Sequence, residues 1–153
     1  MTIPKLLDNV KFLQKCIVVN KDGKILALRR DPKDVRRPNC WDFPGGNYEQ
    51  GESVEECIKR EVREETSLIV HSLRPIYVAS NMGATYQNIN VIALTQLCDK
   101  WEGEVKLSDE HIEYRWVTPA EFMKLETGDD GGFLKDSLSA YLSARLTYSK
   151  NRI

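Results

Sequence analysis

Acidic residues recur in segment 46–68 at spacings that would suit the binding of a metal ion. The second half of the segment predicts a helix, and its apolar, core-facing stripe begins with Val54, Cys57 and Ile58. At about 100° per residue, Glu61 and Glu65 continue this stripe and Glu64 lies beside it. Carboxylates on a buried face lose solvation and repel one another, so they need a compensating charge. Mg²⁺ would supply that charge, because it prefers hard oxygen ligands and commonly shares its coordination with substrate phosphates.

A solvated face is the alternative interpretation of this acid-rich helix. Helices of such composition are commonly stabilised by opposite charges placed four residues apart. The water-facing side is, however, already occupied by other charged residues, which are Glu55, Glu56, Lys59 and Arg63. This arrangement around the helix favours the metal site.

The segment is also similar to the Nudix box, Gly-x5-Glu-x7-Arg-Glu-(aliphatic)-x-Glu-Glu-x-Gly-(aliphatic). The matching positions are Gly46, Glu52, Arg60, Glu61, Val62, Glu64, Glu65 and Leu68. Segment 41–46, Trp-Asp-Phe-Pro-Gly-Gly, resembles the aromatic-x-x-Pro-Gly-Gly lead-in common in this family. Ser67 stands where the family usually has glycine, at a helix exit that commonly requires a left-handed backbone.

The resemblance implies Mg²⁺-dependent hydrolysis of a nucleoside diphosphate linked to another moiety, with Mn²⁺ as a substitute cation. The metal ligands that it implies are Gly46, through its carbonyl oxygen, and Glu61, Glu64 and Glu65. Glu64 would complete the metal cluster or help to activate the attacking water. Arg60 is expected to point away from the metal and to pair with Glu52, which gives both residues a supporting role.

The general base has two candidates. Segment 108–116 resembles the later glutamate-containing loop from which many family members supply a base. Glu110 is the first choice and Glu113 the second, and either could instead be an exposed loop acid. A base must reach the attacking water through about one hydrogen bond, which a sequence does not show.

Four residues are candidates for substrate binding. Arg30 leads into the charged loop 31–39, which is either solvated or holds an anion near the site. Trp41, Tyr48 and Tyr86 could stack on a nucleobase, although an aromatic residue of a small domain more often lies in the core.

The substrate class is predicted from weaker markers. Tyr86 lies at a distance after the box where dinucleoside polyphosphate hydrolases often carry a tyrosine, and no proline occupies the place that often marks ADP-ribose hydrolases. We expect a nucleoside triphosphate, including a modified one, with dinucleoside polyphosphates as the alternative. Two further alternatives are a non-catalytic Nudix-fold module that senses a nucleotide, and an interaction protein whose acidic helix docks a basic partner.

Composition bounds the remaining functions. The 153 residues suit one domain over 1–153 with a substantial core, and a formal net charge of -1 argues against binding a nucleic-acid polymer. We expect a cytoplasmic protein without membrane contact, because no signal-peptide core or membrane-spanning stretch is present. A homodimer is left open. The four scattered cysteines predict reduced, mostly buried thiols, and neither His71 nor His111 receives a role.

The predicted elements place the box between strands. Strands are expected at 12–19, 25–30, 86–97 and 113–117, with extended segments at 68–70 and 76–80. A capping box of Ser53 and Glu56 begins a helix that runs from Val54 to about Glu65. A second helix begins at Pro119, and a last helix after Gly132 packs through Leu134, Leu138, Tyr141, Leu142 and Ala144. This order supports an α/β sandwich, and the resemblance implies the Nudix-type α/β/α sandwich with a mixed β-sheet.

Overall fold

The computed structural model describes residues 10–80, 89–128 and 132–150, with 147–150 as backbone only. Its strands are β1 (Val10–Val18), β2 (Ile25–Arg30), β3 (Trp41–Asp42), β4 (Gly45–Asn47), β5 (Ile69–Ser80), β6 (Asn90–Glu102) and β7 (His111–Val117). Its helices are α1 (Val54–Thr66), α2 (Pro119–Met123) and α3 (Phe133–Lys150).

The strands form two sheets. The first has the order β4-β1-β6-β5, in which β1 and β6 run parallel and the other neighbours are antiparallel. The second has the order β3-β2-β7 and is antiparallel. The α/β class with a mixed sheet is confirmed. The division into two sheets, and the short strands β3 and β4 in the lead-in to the box, are not predicted by the sequence.

Alternate residues of β1 and β2 face two separate apolar cores, as the period of two in a strand requires. Ile17 and Ala27 belong to the core that α2 and α3 cover, through residues such as Phe122 and Leu138. The second core lies under α1 and contains Cys16, Val18, Leu26, Leu28, Ile58 and Val62. Helices therefore cover both sides of the strands, which is the predicted α/β/α arrangement.

Helix α1 begins and ends close to where the sequence predicts. The Ser53 hydroxyl accepts from the Glu56 backbone N–H (3.1 Å), and the Glu56 carboxylate accepts from the Ser53 N–H (2.7 Å), which confirms the capping box. Cys57 and Ile58 are fully buried, whereas Val54 is 42% exposed and does not reach the core in this first turn.

Ser67 adopts the left-handed conformation that glycine usually supplies, with φ 66° and ψ 4°. Its N–H donates to the carbonyl of Arg63 (2.9 Å), and its hydroxyl donates to the carbonyl of Lys106 (3.2 Å). The strain of about 1 kcal/mol for a non-glycine residue is partly offset by these two bonds. Helix α1 therefore ends in the left-handed geometry that glycine usually provides at this position.

The remaining elements agree in type and differ in extent. Strand β5 is continuous where two extended segments are expected, and its register shifts three times. Strand β6 is observed from Asn90, while the expected start at Tyr86 lies outside the described residues. The last helix buries Leu134, Leu138 and Tyr141 as predicted, but Ala144 is exposed because it follows the last buried turn.

The cysteines agree with the expectation of reduced, mostly buried thiols. All four are free thiols, and three of them are buried, whereas Cys40 is partly exposed.

Within the described ranges, no helix is long and apolar enough to cross a membrane.

Candidate active site

A cleft of about 830 Å³ is lined by residues from β1, β2 and the loop after it, β4, α1, the loop before β7 and the start of α3. Its charges come in two groups. The acidic lining consists of Glu61, Glu65, Asp109 and Glu110, and the basic lining consists of Lys11, Lys15, Arg30, Lys33, Arg36 and Arg37. Asp31 and Asp34 line the cleft within the loop that carries the basic lining.

Strand β4 brings backbone atoms against the carboxylates of α1. The Gly45 N–H donates to Oε2 of Glu65 (3.1 Å). A Cβ atom at Gly46 would lie 2.4 Å from Oε2 of Glu61, and one at Gly45 would lie 2.1 Å from the Gln14 carbonyl oxygen. Gly45 also has φ 147°, which side chains rarely tolerate. Both glycines are therefore needed for this close approach.

Burial destabilises the ionised forms of Glu61 and Glu65. Glu65 is 6% exposed, and burial raises its pKa to about 8, although Lys15 and the Gly45 N–H oppose the rise. Burial also raises the pKa of Glu61, and the neighbouring Glu64 and Glu110 carboxylates add to this rise. Two such carboxylates beside a backbone without side chains would be stabilised by a cation between them.

Arg60 lies among the acidic residues of the box. It pairs with both oxygens of Glu52, as predicted, with Nη2 3.2 Å from Oε2. Its Nη1 also donates to Glu61 (2.9 Å) and Glu64 (3.2 Å). Arg60 is expected to point away from the metal, but its guanidinium contacts Glu61 and Glu64, which are two of the predicted metal ligands. A guanidinium has five N–H donors in a planar fork and can serve several acceptors at once.

The donor set fits a hard cation in part. Among the residues that the structure describes, no group of three carboxylate, imidazole or thiolate side chains is arranged to hold a metal ion. Glu64 is directed to Arg60, and its side chain is 59% exposed. Glu61 lies against Gly46 and Glu65 against Gly45, and the oxygen atoms of these carboxylates suit Mg²⁺.

The two candidate bases are placed differently. Glu110 is exposed and lines the cleft, and its charge raises the pKa of Glu61. Glu113 is not among the lining residues; it pairs with Arg115 (2.7 Å) and Arg29 (3.3 Å), which lower its pKa. The structure therefore brings Glu110 to the cleft lining, whereas Glu113 on β7 belongs to a separate ion-pair group. The identity of the base stays a prediction.

Of the four substrate-binding candidates, the structure places one in the cleft lining. Arg30 lines the cleft. Trp41 is 7% exposed in the core with the Arg115 guanidinium 4.7 Å from its ring centroid, so it offers no face for stacking. Tyr48 does not line the cleft; its ring packs edge-on against Phe12, and its hydroxyl donates to the Glu52 carbonyl. Tyr86 lies outside the described residues.

Sequence reasoning missed an ion-pair group centred on Asp42. This carboxylate is fully buried and contacts Lys15 (2.9 Å), Arg30 (3.0 Å) and Arg37. Burial alone would raise the pKa of Asp42, but the three cations hold it well below its usual range. The available signal was weak: Lys11 and Lys15 alternate with apolar residues on one face of a strand next to the core.

A buried histidine lies next to this group. His111 is 6% exposed, and within the described residues its Nδ1 atom has no hydrogen-bond partner. Burial lowers its pKa to about 4. The imidazole is therefore neutral over the ordinary pH range.

Comparison with known proteins gives a consistent result. Residues 15–136 match the family model described as the NUDIX domain. The chain is 30% identical over 115 residues to the nucleoside triphosphatase NudI of Salmonella arizonae, covering 70% of this chain and 82% of that protein. It is 36% identical over 110 residues to an ADP-ribose pyrophosphatase of Methanocaldococcus jannaschii, covering 71% of this chain and 59% of that protein.

A solved structure extends the likeness to the whole fold. The crystal structure of the MutT protein from Methanosarcina mazei Go1 superposes with a TM-score of 0.72 at 28% identity. The alignment covers 92% of this chain and 99% of that one.

Proposed function

The chain belongs to the Nudix hydrolase family, and from that premise we propose that it is a Mg²⁺-dependent pyrophosphohydrolase of nucleoside triphosphates. One observation carries the proposal: Glu61 and Glu65 lie against the side-chain-free backbone of Gly45 and Gly46 in a cleft that also contains a basic lining. The NudI relative supports a triphosphate substrate.

Mg²⁺, held by Glu61, Glu65 and the Gly46 carbonyl oxygen, would supply charge neutralisation for the diphosphate. The fold brings the two carboxylates to one cleft, in which Glu65 is 6% exposed. Burial raises the pKa of both carboxylates, and a bound cation would favour their ionised forms. Mn²⁺ is expected to replace Mg²⁺, since both prefer oxygen donors.

Glu110 is the proposed general base, and Glu64 is proposed to help activate the attacking water. In the reaction, a bond forms between water oxygen and phosphorus, the phosphoanhydride P–O bond breaks, and one proton of the water passes to a carboxylate. Glu110 is exposed in the cleft lining, where water reaches it. Oε2 of Glu64 accepts a hydrogen bond from Nη1 of Arg60 (3.2 Å). Glu64 would help to activate the water once this hydrogen bond is broken.

A dinucleoside polyphosphate hydrolase is the second candidate function, because the basic lining would also accept a longer phosphate chain. A module that senses nucleotides without cleaving them is the third, and the presence of Glu61, Glu64 and Glu65 argues against it. We further propose that residues 1–153 act as one domain.

The test is product release from a nucleotide panel with Mg²⁺. The panel contains normal and oxidised nucleoside triphosphates, a dinucleoside tetraphosphate, ADP-ribose and a nucleotide sugar. Glu65→Gln is expected to lower turnover at least about 100-fold while the protein stays folded, because it removes a carboxylate that would neutralise a cation at the diphosphate.

The matched control is Glu55→Gln, which removes one carboxylate from the exposed side of the same helix. Wild-type turnover in Glu65→Gln would refute the assignment of this carboxylate. Silence of the wild-type protein across the panel, with metal binding intact, would favour the sensing module.

A further inference from the structure

The Asp42 group gathers more positive charge than it neutralises. Lys15 from β1, Arg30 from β2 and Arg37 from the following loop all contact Asp42, and Arg30 also pairs with Asp34. Three cations therefore face two carboxylates, which leaves a formal excess of one positive charge in this network. Cations held this close repel one another, so an anion that joins them is stabilised.

The loop that carries Arg37 is held in one conformation by its own hydrogen bonds. Oδ1 of Asp34 accepts from the backbone N–H groups of Arg36 (2.9 Å) and Arg37 (3.0 Å). Nη1 of Arg37 donates to the carbonyl of Thr127 (2.9 Å). The guanidinium of Arg37 is therefore positioned before any ligand arrives, which lowers the entropic cost of binding.

The network is continuous with the acidic lining. Lys15 lowers the pKa of Glu65 and Asp42 raises it, so both lie near this carboxylate. Gly45, whose N–H donates to Glu65, pairs with Lys15 in the sheet. All three cations line the same cleft as Glu61 and Glu65. A phosphate chain that begins at these carboxylates would thus extend onto the cations.

The same cleft offers little to a nucleobase. Among the described residues that line it, Phe133 is the one aromatic residue, and it is 5% exposed in the core. Stacking needs an accessible aromatic face. The described lining residues can therefore select a ligand by its charge and not by stacking on a base.

We propose that Lys15, Arg30 and Arg37 form a subsite for a phosphate beyond the diphosphate that is cleaved. Guanidinium groups suit this role, because their planar N–H pairs match phosphate oxygens. The inference rests on the proposed function and narrows it. Substrates with three or more consecutive phosphates are preferred over those with two phosphates and a neutral sugar.

The experiment compares ATP with ADP-ribose, which share a nucleoside and differ in the group attached to the second phosphate. The kcat/KM of each is measured at fixed ionic strength and saturating Mg²⁺. The wild-type protein is expected to prefer ATP. Arg37→Gln is expected to reduce kcat/KM about tenfold more for ATP than for ADP-ribose, mainly through KM, because a charge-assisted phosphate contact is lost.

Two further variants separate binding from folding. Arg37→Lys keeps the charge and is expected to recover part of the ATP preference. Arg74→Gln removes an exposed arginine outside the cleft and is expected to leave both substrates unchanged. Melting temperatures of all variants show whether each is folded.

A binding measurement keeps the subsite testable apart from catalysis. Calorimetry of inorganic triphosphate with the metal-free protein is expected to show binding that weakens about tenfold in Arg37→Gln. Equal losses for ATP and ADP-ribose, or a wild-type preference for ADP-ribose, would overturn the proposal. If no nucleotide is hydrolysed, the proposed function fails, whereas Arg37-dependent triphosphate binding would still support the subsite.

Discussion

Two ion-pair groups at the cleft are built with opposite charge at the centre. Arg60 is a cation surrounded by the carboxylates of Glu52, Glu61 and Glu64. Asp42 is a carboxylate surrounded by the cations of Lys15, Arg30 and Arg37. The first group gathers acidic residues of the box, and the second gathers basic residues that line the same cleft. A diphosphate with its cation needs both kinds of charge.

The two groups differ in burial. The Arg60 side chain is 22% exposed, and one of its partners, Glu64, is 59% exposed. Asp42 is fully buried. Water screens the Arg60–Glu64 pair and permits Glu64 to exchange, whereas the buried Asp42 carboxylate is screened little. The acidic group is therefore the one that can rearrange around a metal ion.

Asp42→Asn is expected to have the largest effect on stability. The substitution leaves three cations around a neutral, buried side chain, and loss of one partner of a buried pair costs about 3 kcal/mol or more. Chemical denaturation measures this change, with Asp99→Asn as the matched control at an exposed position of β6. Equal stability of the two variants would show that the cations do not need their central carboxylate.

His111 gives a pH test of the same group. Its pKa is lowered from the ordinary 6.5 to about 4 by burial, with Lys15 and Arg30 also lowering it and Asp42 and Asp34 raising it. As pH falls below 6.5 the unfolded chain binds the proton first, so stability is present above 6.5 and is lost toward pH 4.

The expected loss between pH 7 and pH 5 is about 2 kcal/mol for this one group. Denaturation of the wild-type protein and of His111→Gln at both pH values isolates it, because carboxylates that titrate in the same range contribute to both proteins. A pH dependence that is the same in the variant would show that the imidazole is not held neutral.

Arg60→Ala is expected to have a smaller effect on the partly exposed group. Its guanidinium is 22% exposed and its ion pair with Glu64 is screened by water, so the melting temperature should fall by roughly 2–4 °C. Turnover should fall as well, since Glu61 loses a contact that fixes its carboxylate. The matched control is Arg63→Ala, which lies on the exposed side of the same helix. A catalytic defect without any change in melting would contradict the supporting role.

The contrast between the two groups also explains which parts the sequence could predict. The acidic group lies within segment 52–64, where helix periodicity places Glu61 on the core-facing stripe and the resemblance to the box implies the pairing of Arg60 with Glu52. The capping box and the left-handed exit at Ser67 are local and were equally predictable.

The basic group could not be predicted in this way. Lys15, Arg30, Arg37 and Asp42 come from separate elements, and their meeting depends on how β3 pairs with β2 and how β4 pairs with β1. The sequence also did not distinguish Glu110, which lines the cleft in the loop before β7, from Glu113 on β7. Cytoplasmic localisation and a homodimer stay predictions from the sequence.

The most direct test of Glu61 and Glu65 as a metal site is Mn²⁺ binding, measured by electron paramagnetic resonance at neutral pH in the wild-type protein and in Glu65→Gln. The wild-type protein should bind Mn²⁺, Mg²⁺ should displace it, and Glu65→Gln should bind Mn²⁺ at least about tenfold more weakly. Unchanged affinity in Glu65→Gln would contradict the assignment of Glu61 and Glu65 as the pair that holds the cation.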